Sequence, residues 1–259
     1  MKIGFFDSGI GGITVLYDTL KILPNEDYIY YADTLNVPYG NKSKNEVRKY
    51  IFNAIDFIIK QEVKAIVIAC NTATSIAIED LRGKYNIPII GMEPAVKPTI
   101  EKNEDRSKRV LVTATALTLK EEKLHNLITS LDKEHVVDLL PLPGLVDYSE
   151  RLEFSESKVL PYLEEQLLKY DVSNYETVVL GCTHFSYYKD IFRKLFSPDI
   201  NIIDGNYGTA NNLKKILEEI NQLNDGCSHI DFYNSGLKVE DKAELDKYSR
   251  LFKRLDSIC

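Results

Sequence analysis

The sequence predicts an α/β fold: two pseudosymmetric α/β domains with mostly parallel central sheets and a site between them. Three observations predict it. Short runs of β-branched and aromatic residues alternate with longer stretches of helical period, the pattern of strand–helix–strand units. The runs are apolar along nearly their whole length, as strands of a parallel sheet covered on both faces must be. The chain also echoes itself. Shifted by 112 residues, KAIVIACNTATS (64–75) lies over ETVVLGCTHFSY (176–187); shifted by 107, KIGFFDS (2–8) lies over RVLVTAT (109–115). Apolar positions coincide in both overlays, so two similar halves are expected to face each other.

Taken in order, KIGFF (2–6), YIYYA (28–32), AIVIA (65–69) and IPIIG (87–91) read as the strands of the first half. RVLVT (109–113), VVDLL (136–140), TVVLG (177–181) and NIID (201–204) read as those of the second. Between the second and third, SKNEVRKYIFNAIDFIIKQ (43–61) opens with Ser43 and Glu46 at capping-box spacing and sets Val47, Ile51, Ile55 and Ile58 on one face. The prolines of PAVKP (94–98) and the charged stretch EKNEDRSKR (101–109) mark a domain boundary, and a second crossover falls near IDGNYG (203–208). The expected division is residues 1–97 plus 206–259 for one domain and 98–205 for the other. The tail, ending in the helix-like ELDKYSRLFKRL (244–255), is expected to pack back on the first domain.

Composition narrows the function. A chain of 259 residues, 44% hydrophobic, can bury a substantial core. Its net charge of −7 and the lack of any Lys/Arg cluster argue against a nucleic-acid partner and against an anionic membrane surface. Asp7 interrupts the first apolar run, and no window approaches the ~18 apolar residues of a membrane span, so a cytoplasmic protein is expected. Four scattered cysteines (Cys70, Cys182, Cys227, Cys259) make neither a disulfide framework nor a zinc spacing, which leaves reduced thiols. Cys227 and Cys259, in a polar stretch and at the terminus, have no assigned role.

Cys70 and Cys182 fall at matching places in the two halves, each at the carboxyl end of a strand, where open α/β sheets bind ligands. A single cysteine so placed is most often a small buried hydrophobe. A pair in matched strand–Cys–polar–polar contexts points instead to chemistry. Backbone N–H groups and the positive end of the following helix should favour thiolate over thiol. Asn71 and Thr72 follow the first, Thr183 and His184 the second; these side chains can cap a helix or bind a carboxylate. His184, one of only four histidines and two residues past a candidate base, is placed to tune it. Two thiols across a cleft suit removal of a proton from one face of a carbon and its return to the other, which is racemisation or epimerisation. FFDSGIGGITVL (5–16) is a Gly-rich strand-to-helix turn ending on Asp7 and Ser8, with no phosphate-loop signature. NVPYGNKS (36–43) reads either as a proline turn before the capped helix or as a loop offering the N–H groups of Tyr39 and Gly40 to an anion.

Six segments in order, DSGIGG (7–12), YYAD (30–33), VPYG (37–40), ACNTA (69–73), GMEPA (91–95) and GCTHF (181–185), strongly resemble the glutamate racemases, the cofactor-independent branch of the aspartate/glutamate racemase superfamily. The resemblance spans nearly the whole chain. It implies two α/β domains related by a pseudo-twofold axis with glutamate between them, and no pyridoxal phosphate, metal or nucleotide. It implies that Cys70 deprotonates D-glutamate and Cys182 L-glutamate, assisted by Asp7 and His184. It assigns Asp7, Ser8, Pro38, Tyr39, Gly40, Asn71, Thr72, Thr115, Thr118, Thr183 and His184 to catalysis or substrate binding. The product, D-glutamate, would feed bacterial peptidoglycan synthesis, and a homodimer is the assembly common among relatives. The sequence departs from the family in its second half. ATALT (114–118) keeps only the two threonines of a G-T-x-G-T pattern, Ser186 replaces a proline, and Asp147 stands where a glutamate is common, making Asp147 the candidate acid of the second wall. Two other readings remain: a superfamily racemase acting on aspartate, another small amino acid or a hydantoin, and a non-catalytic amino-acid-binding protein.

Overall fold

The computed structural model describes residues 1–102, 108–225 and 228–258. Cys227, Cys259 and residues 103–107 of the expected boundary stretch lie outside the described residues. The elements run β1 (Ile3–Asp7), α1 (Ile13–Ile22), β2 (Tyr28–Ala32), α2 (Lys44–Ile59), β3 (Ala65–Ile68), α3 (Asn71–Lys84), β4 (Ile89–Gly91) and α4 (Val96–Lys102). They continue with β5 (Arg109–Ala114), α5 (Ala116–Leu119), α6 (Glu122–Leu131), β6 (Val137–Pro141), α7 (Pro143–Glu150), α8 (Glu156–Leu167), β7 (Tyr175–Gly181) and α9 (Lys189–Leu195). The last are β8 (Asn201–Asp204), α10 (Asn206–Glu219), β9 (Ile230–Asn234), β10 (Leu237–Lys238) and α11 (Lys242–Asp256). A short 3-10 helix, Thr183–Tyr188, joins β7 to α9.

The strands form a six-stranded sheet in the order β10-β9-β2-β1-β3-β4 and a four-stranded sheet in the order β6-β5-β7-β8. Every pairing is parallel except β9 with β10. The predicted internal echo is a symmetry of topology: β2-β1-β3-β4 and β6-β5-β7-β8 are the same arrangement. It extends to register, because Ile3 faces Ala65 and Val110 faces Thr177; adding 107 to the first and 112 to the second converts one pair into the other. Buried β-branched and aromatic residues fix these strands. All five residues of β1 and of β2 are buried, which a strand covered on both faces requires.

Helix α2 begins where the sequence predicts. The Ser43 hydroxyl accepts from the Glu46 N–H while the Glu46 carboxylate accepts from the Ser43 N–H, and Val47, Ile51, Ile55 and Ile58 are buried. Together α2 and α3 cover one face of the larger sheet, and α4 and α6 cover one face of the smaller. One apolar cluster runs from the larger sheet (Phe5, Tyr30, Val67) to the smaller (Leu111, Val178, Leu180) through Phe185, Tyr187 and Tyr188.

The tail returns to the larger sheet more deeply than a packed helix would. Its β9 adds in parallel beside β2, while α10 and α11 pack on α1. The sequence reading missed β9 because IDFYN lies near the sheet edge, mostly half-buried, and carries Asp231 and Asn234 among its apolar residues. A buried ion pair, Lys64 Nζ to Glu26 Oε2 at 2.6 Å, secures the returning chain, with Glu26 Oε1 accepting from the Asn224 N–H at 2.8 Å. No helix among the described residues is long and apolar enough to cross a membrane.

Candidate active site

The carboxyl ends of β1 and β3 in one sheet face those of β5 and β7 in the other, and chemistry-bearing side chains sit at all four. Asp7 is the last residue of β1, Cys70 lies two residues past β3, Thr115 follows β5 and Cys182 follows β7. Between them is a cleft of about 450 Å3, counting its open mouth, with both cysteines in its walls. The thiols therefore share one cavity.

Cys70 is the N-cap of α3: its sulfur accepts from the Ala73 N–H at 3.5 Å and its S–H donates to Ser8 Oγ at 3.6 Å. The capping bond favours thiolate, as the sequence suggested, but it does not prevail. Burial, followed by the negative charge of Asp7, pushes the Cys70 thiol up to about 12, so it rests protonated. Asp7 is fully buried, accepting from the Gly9 N–H at 2.9 Å and from Thr183 Oγ1 at 3.2 Å. Burial raises its carboxyl to about 6 despite the opposing pull of His184. Around Cys70 the site is thus a neutral thiol beside an acid that titrates near neutrality.

Cys182 has different company. His184 Nδ1 lies 3.7 Å from the Cys182 sulfur, and His184 Nε2 lies 2.7 Å from Glu150 Oε1. Burial alone would push the imidazole down, but its bonds to Cys182 and Glu150 outweigh that and hold it well above its ordinary value. Glu150 is kept below the usual carboxylate range against its own burial, by the His184 bond first and then by the His184 charge. Its Oε1 also accepts from the Ile10 N–H at 2.9 Å. An imidazolium fixed by a carboxylate thus stands beside the second thiol.

The glycines of DSGIGG belong to this arrangement. A Cβ on Gly9 would come within 1.9 Å of Glu150 Oε1, and one on Gly11 within 2.3 Å of Thr183 Oγ1 and 2.5 Å of His184 Nδ1. The turn is glycine-rich because the His184–Glu150 pair of the other half packs directly on its backbone. Thr14 Oγ1 donates to Thr183 O at 3.3 Å and Tyr187 OH to Ile10 O at 2.9 Å across the same seam.

Ser8, Pro38, Tyr39, Gly40, Asn71, Thr72, Thr115, Thr183 and His184 line the cleft with the two cysteines. Thr118 stands just behind, its hydroxyl 3.0 Å from those of Thr72 and Thr115, which are themselves 3.0 Å apart. VPYG resolves as a turn with a cis Val37–Pro38 bond followed by a short 3-10 helix at Tyr39. The Tyr39 hydroxyl donates to Asp33 at 2.6 Å, which fixes the ring against the cleft. Asn71 Nδ2 donates to Met92 O at 3.2 Å, leaving Oδ1 buried with no partner among the described residues. That oxygen is an acceptor held ready for an N–H donor.

Asp147 does not reach the cleft. It is exposed on α7, and the acid that the second half contributes is Glu150. Leu145, Val146 and Ser149 mark the buried side of α7, with Val146 in the cleft wall. Glu150 lies four residues after Val146 on that same face, and this spacing was the available sequence signal. Asn41, Ala116 and Pro143 complete the lining and were also missed.

A family model described as Asp/Glu/Hydantoin racemase matches residues 21–212, well over half the chain. The chain belongs to the Asp/Glu/Hydantoin racemase family. Within that racemase family its relatives include Glutamate racemase 2 of Bacillus subtilis, 59% identical over 99% of this chain and 97% of that one. Glutamate racemase of Halothermothrix orenii is 53% identical over 98% of this chain and all of that one. Among solved structures, glutamate racemase from Francisella tularensis in complex with D-glutamate is 30% identical, with a TM-score of 0.80 over 98% of this chain and 93% of that one. Family membership makes this chain an amino-acid racemase with the two-domain α/β fold.

Proposed function

We propose that this protein interconverts L- and D-glutamate by a two-base mechanism in which Cys182 serves one face of the α-carbon and Cys70 the other. The observation that carries the reading is the placement of two thiols at equivalent strand ends in one cleft, one beside a buried acid and one beside an imidazolium. Glutamate is the substrate of the relatives matched over the full chain, and D-glutamate is the ligand of the Francisella tularensis structure.

From L-glutamate, the Cys182 thiolate takes the α-proton while the Cys70 thiol gives its own to the opposite face. The cycle leaves Cys182 protonated and Cys70 charged. Exchange with solvent then resets the pair: a proton from water reaches Cys70 by way of Asp7, whose carboxyl titrates at about 6, and Cys182 gives its proton to water, its thiolate stabilised by the neighbouring His184 imidazolium. From D-glutamate the same steps run backward. The carbanionic intermediate needs stabilisation at the α-carboxylate, which the N–H groups and hydroxyls at the ends of β3, β5 and β7 can supply as an oxyanion hole does. Asn71 Oδ1 suits the substrate ammonium. Turnover requires one neutral and one charged thiol, so kcat/KM follows a bell-shaped pH profile whose limbs belong to the pair. We take residues 1–97 with 206–259 as one body and 98–205 as the other, opening to admit substrate and closing to exclude water. In the cell the product is a peptidoglycan precursor.

The test is incubation of the purified protein with each enantiomer of glutamate and of aspartate, followed by chiral chromatography. Full conversion of glutamate to the racemate from either side, with aspartate slower by at least about a hundredfold, is the expected result. Faster turnover of aspartate would move the chain to another branch of the family, and glutamate binding without α-proton exchange would overturn the catalytic reading.

A further inference from the structure

The site described so far is built from strand ends, but one of its supports comes from the far end of the chain. Arg254 lies in the last turn of α11, mostly buried, with its side chain 16% exposed. Its Nε and Nη2 both donate to the backbone carbonyl of Tyr187, at 3.1 and 2.8 Å, and Nη2 also donates to Asp190 Oδ1 at 2.6 Å. Tyr187 belongs to the short 3-10 helix that carries Thr183 and His184. Its ring is fully buried, 5.2 Å between centroids from Phe154, and the Arg254 guanidinium carbon lies 5.6 Å from the Phe154 centroid. The Tyr187 hydroxyl donates to Ile10 O, and the Ile10 N–H donates to the Glu150 oxygen that also meets His184.

We infer that Arg254 is a positioning residue for the Cys182 side of the active site, fixing through Tyr187 the segment that presents His184 to Cys182 and Glu150. The inference rests on the two-base reading above and adds a residue of the C-terminal helix to its machinery. The chemistry suits arginine specifically. A planar fork with several fixed N–H donors grips one carbonyl twice and a carboxylate once, which an ammonium group cannot do in a single geometry. A 3-10 helix of six residues has poor hydrogen-bond geometry of its own, so an outside clamp on its backbone matters more than on a long α-helix. Small displacements of a positioned acid–base group are costly: a 1 Å error far from the reacting atoms can reduce rate a hundredfold.

A loosened Cys182 side slows one proton transfer and not the other, which separates positioning from general damage. The full-length wild type, Arg254→Met, Arg254→Lys and Asp190→Asn would be assayed with L-glutamate and D-glutamate, each carrying protium or deuterium on the α-carbon. With Arg254→Met, kcat should fall about tenfold with KM nearly unchanged. The primary isotope effect on deuterated L-glutamate should rise, because its bond is broken at Cys182. That on deuterated D-glutamate should fall, because the Cys70 step becomes less limiting. Arg254→Lys should shift both effects the same way by less, and Asp190→Asn should leave them within error because the carbonyl grip survives. Isotope effects that stay at wild-type values in Arg254→Met overturn the inference even if kcat drops. Should that variant not fold, wild-type values in Arg254→Lys do the same. A wild type that racemises neither enantiomer would instead remove the underlying two-base reading.

Discussion

Cys70 and Cys182 end equivalent strands of two sheets with the same order and register, yet one thiol is surrounded by negative charge and the other by positive. Cys70 has Asp7 and an apolar burial that keeps it protonated. Cys182 has an imidazolium held by Glu150. The duplicated backbone supplies the geometry of two opposed groups, and the neighbours that broke the duplication give them unlike electrostatic surroundings. On the two-base proposal, identical thiols would compete for the same role, and the unlike surroundings are what would assign one as acid and the other as base.

Replacing either sulfur attacks this comparison most directly. Cys70→Ser and Cys182→Ser should each lower kcat on the order of a thousandfold, the range that general acid–base groups supply, as read by circular dichroism of either enantiomer. Full activity in one of them would remove that residue from the mechanism.

Asp7 sharpens the Cys70 half through stability. Its folded value of about 6 lies above its ordinary 3.8, so the folded state holds the proton more tightly. The contribution is therefore complete below about pH 4 and is lost as pH rises through 6. Relative to Asp7→Asn, the wild type should lose about 3 kcal/mol across that window, from roughly two pK units at 1.36 kcal/mol each. Urea unfolding of both proteins at several pH values reads the difference, and parallel curves would contradict the burial argument.

Glu150 sharpens the other half. Glu150→Gln removes the charge that helps hold His184 protonated, so the imidazole should titrate at lower pH. The kcat/KM limb that depends on it should move in the acid direction, with a loss of about tenfold to a hundredfold in kcat at neutral pH. A pH–rate series in which neither limb moves would show that the pair is structural.

Much of this was legible in the sequence, for identifiable reasons. Strands buried on both faces, such as IGFFD and YIYYA, announce themselves by unbroken apolar runs. The cysteines stood out because their contexts repeat at a fixed shift. β9 was missed because a strand near a sheet edge, with Asp231 and Asn234 in it, has no such run. Asp147 was named because the resemblance puts an acid at that position, and Glu150 was passed over because only the rotation of this short helix decides which of its carboxylates meets His184. The direction of the Cys70 shift was misjudged because capping is local and readable, whereas complete burial beside Asp7 depends on how β1, β3 and the opposing half assemble. Arg254 was unreadable for the same reason: its partner carbonyl lies 67 residues away in the chain.

One measurement bears on the central claim without any substitution. Each glutamate enantiomer is turned over in deuterated water, the reaction is stopped early, and α-deuterium is measured separately in residual substrate and in product. Two fixed thiols on opposite faces predict deuterium in the product enantiomer while the recovered substrate remains protiated. Early deuterium in both pools would mean that one mobile base serves both faces, and the unlike surroundings of Cys70 and Cys182 would need another purpose.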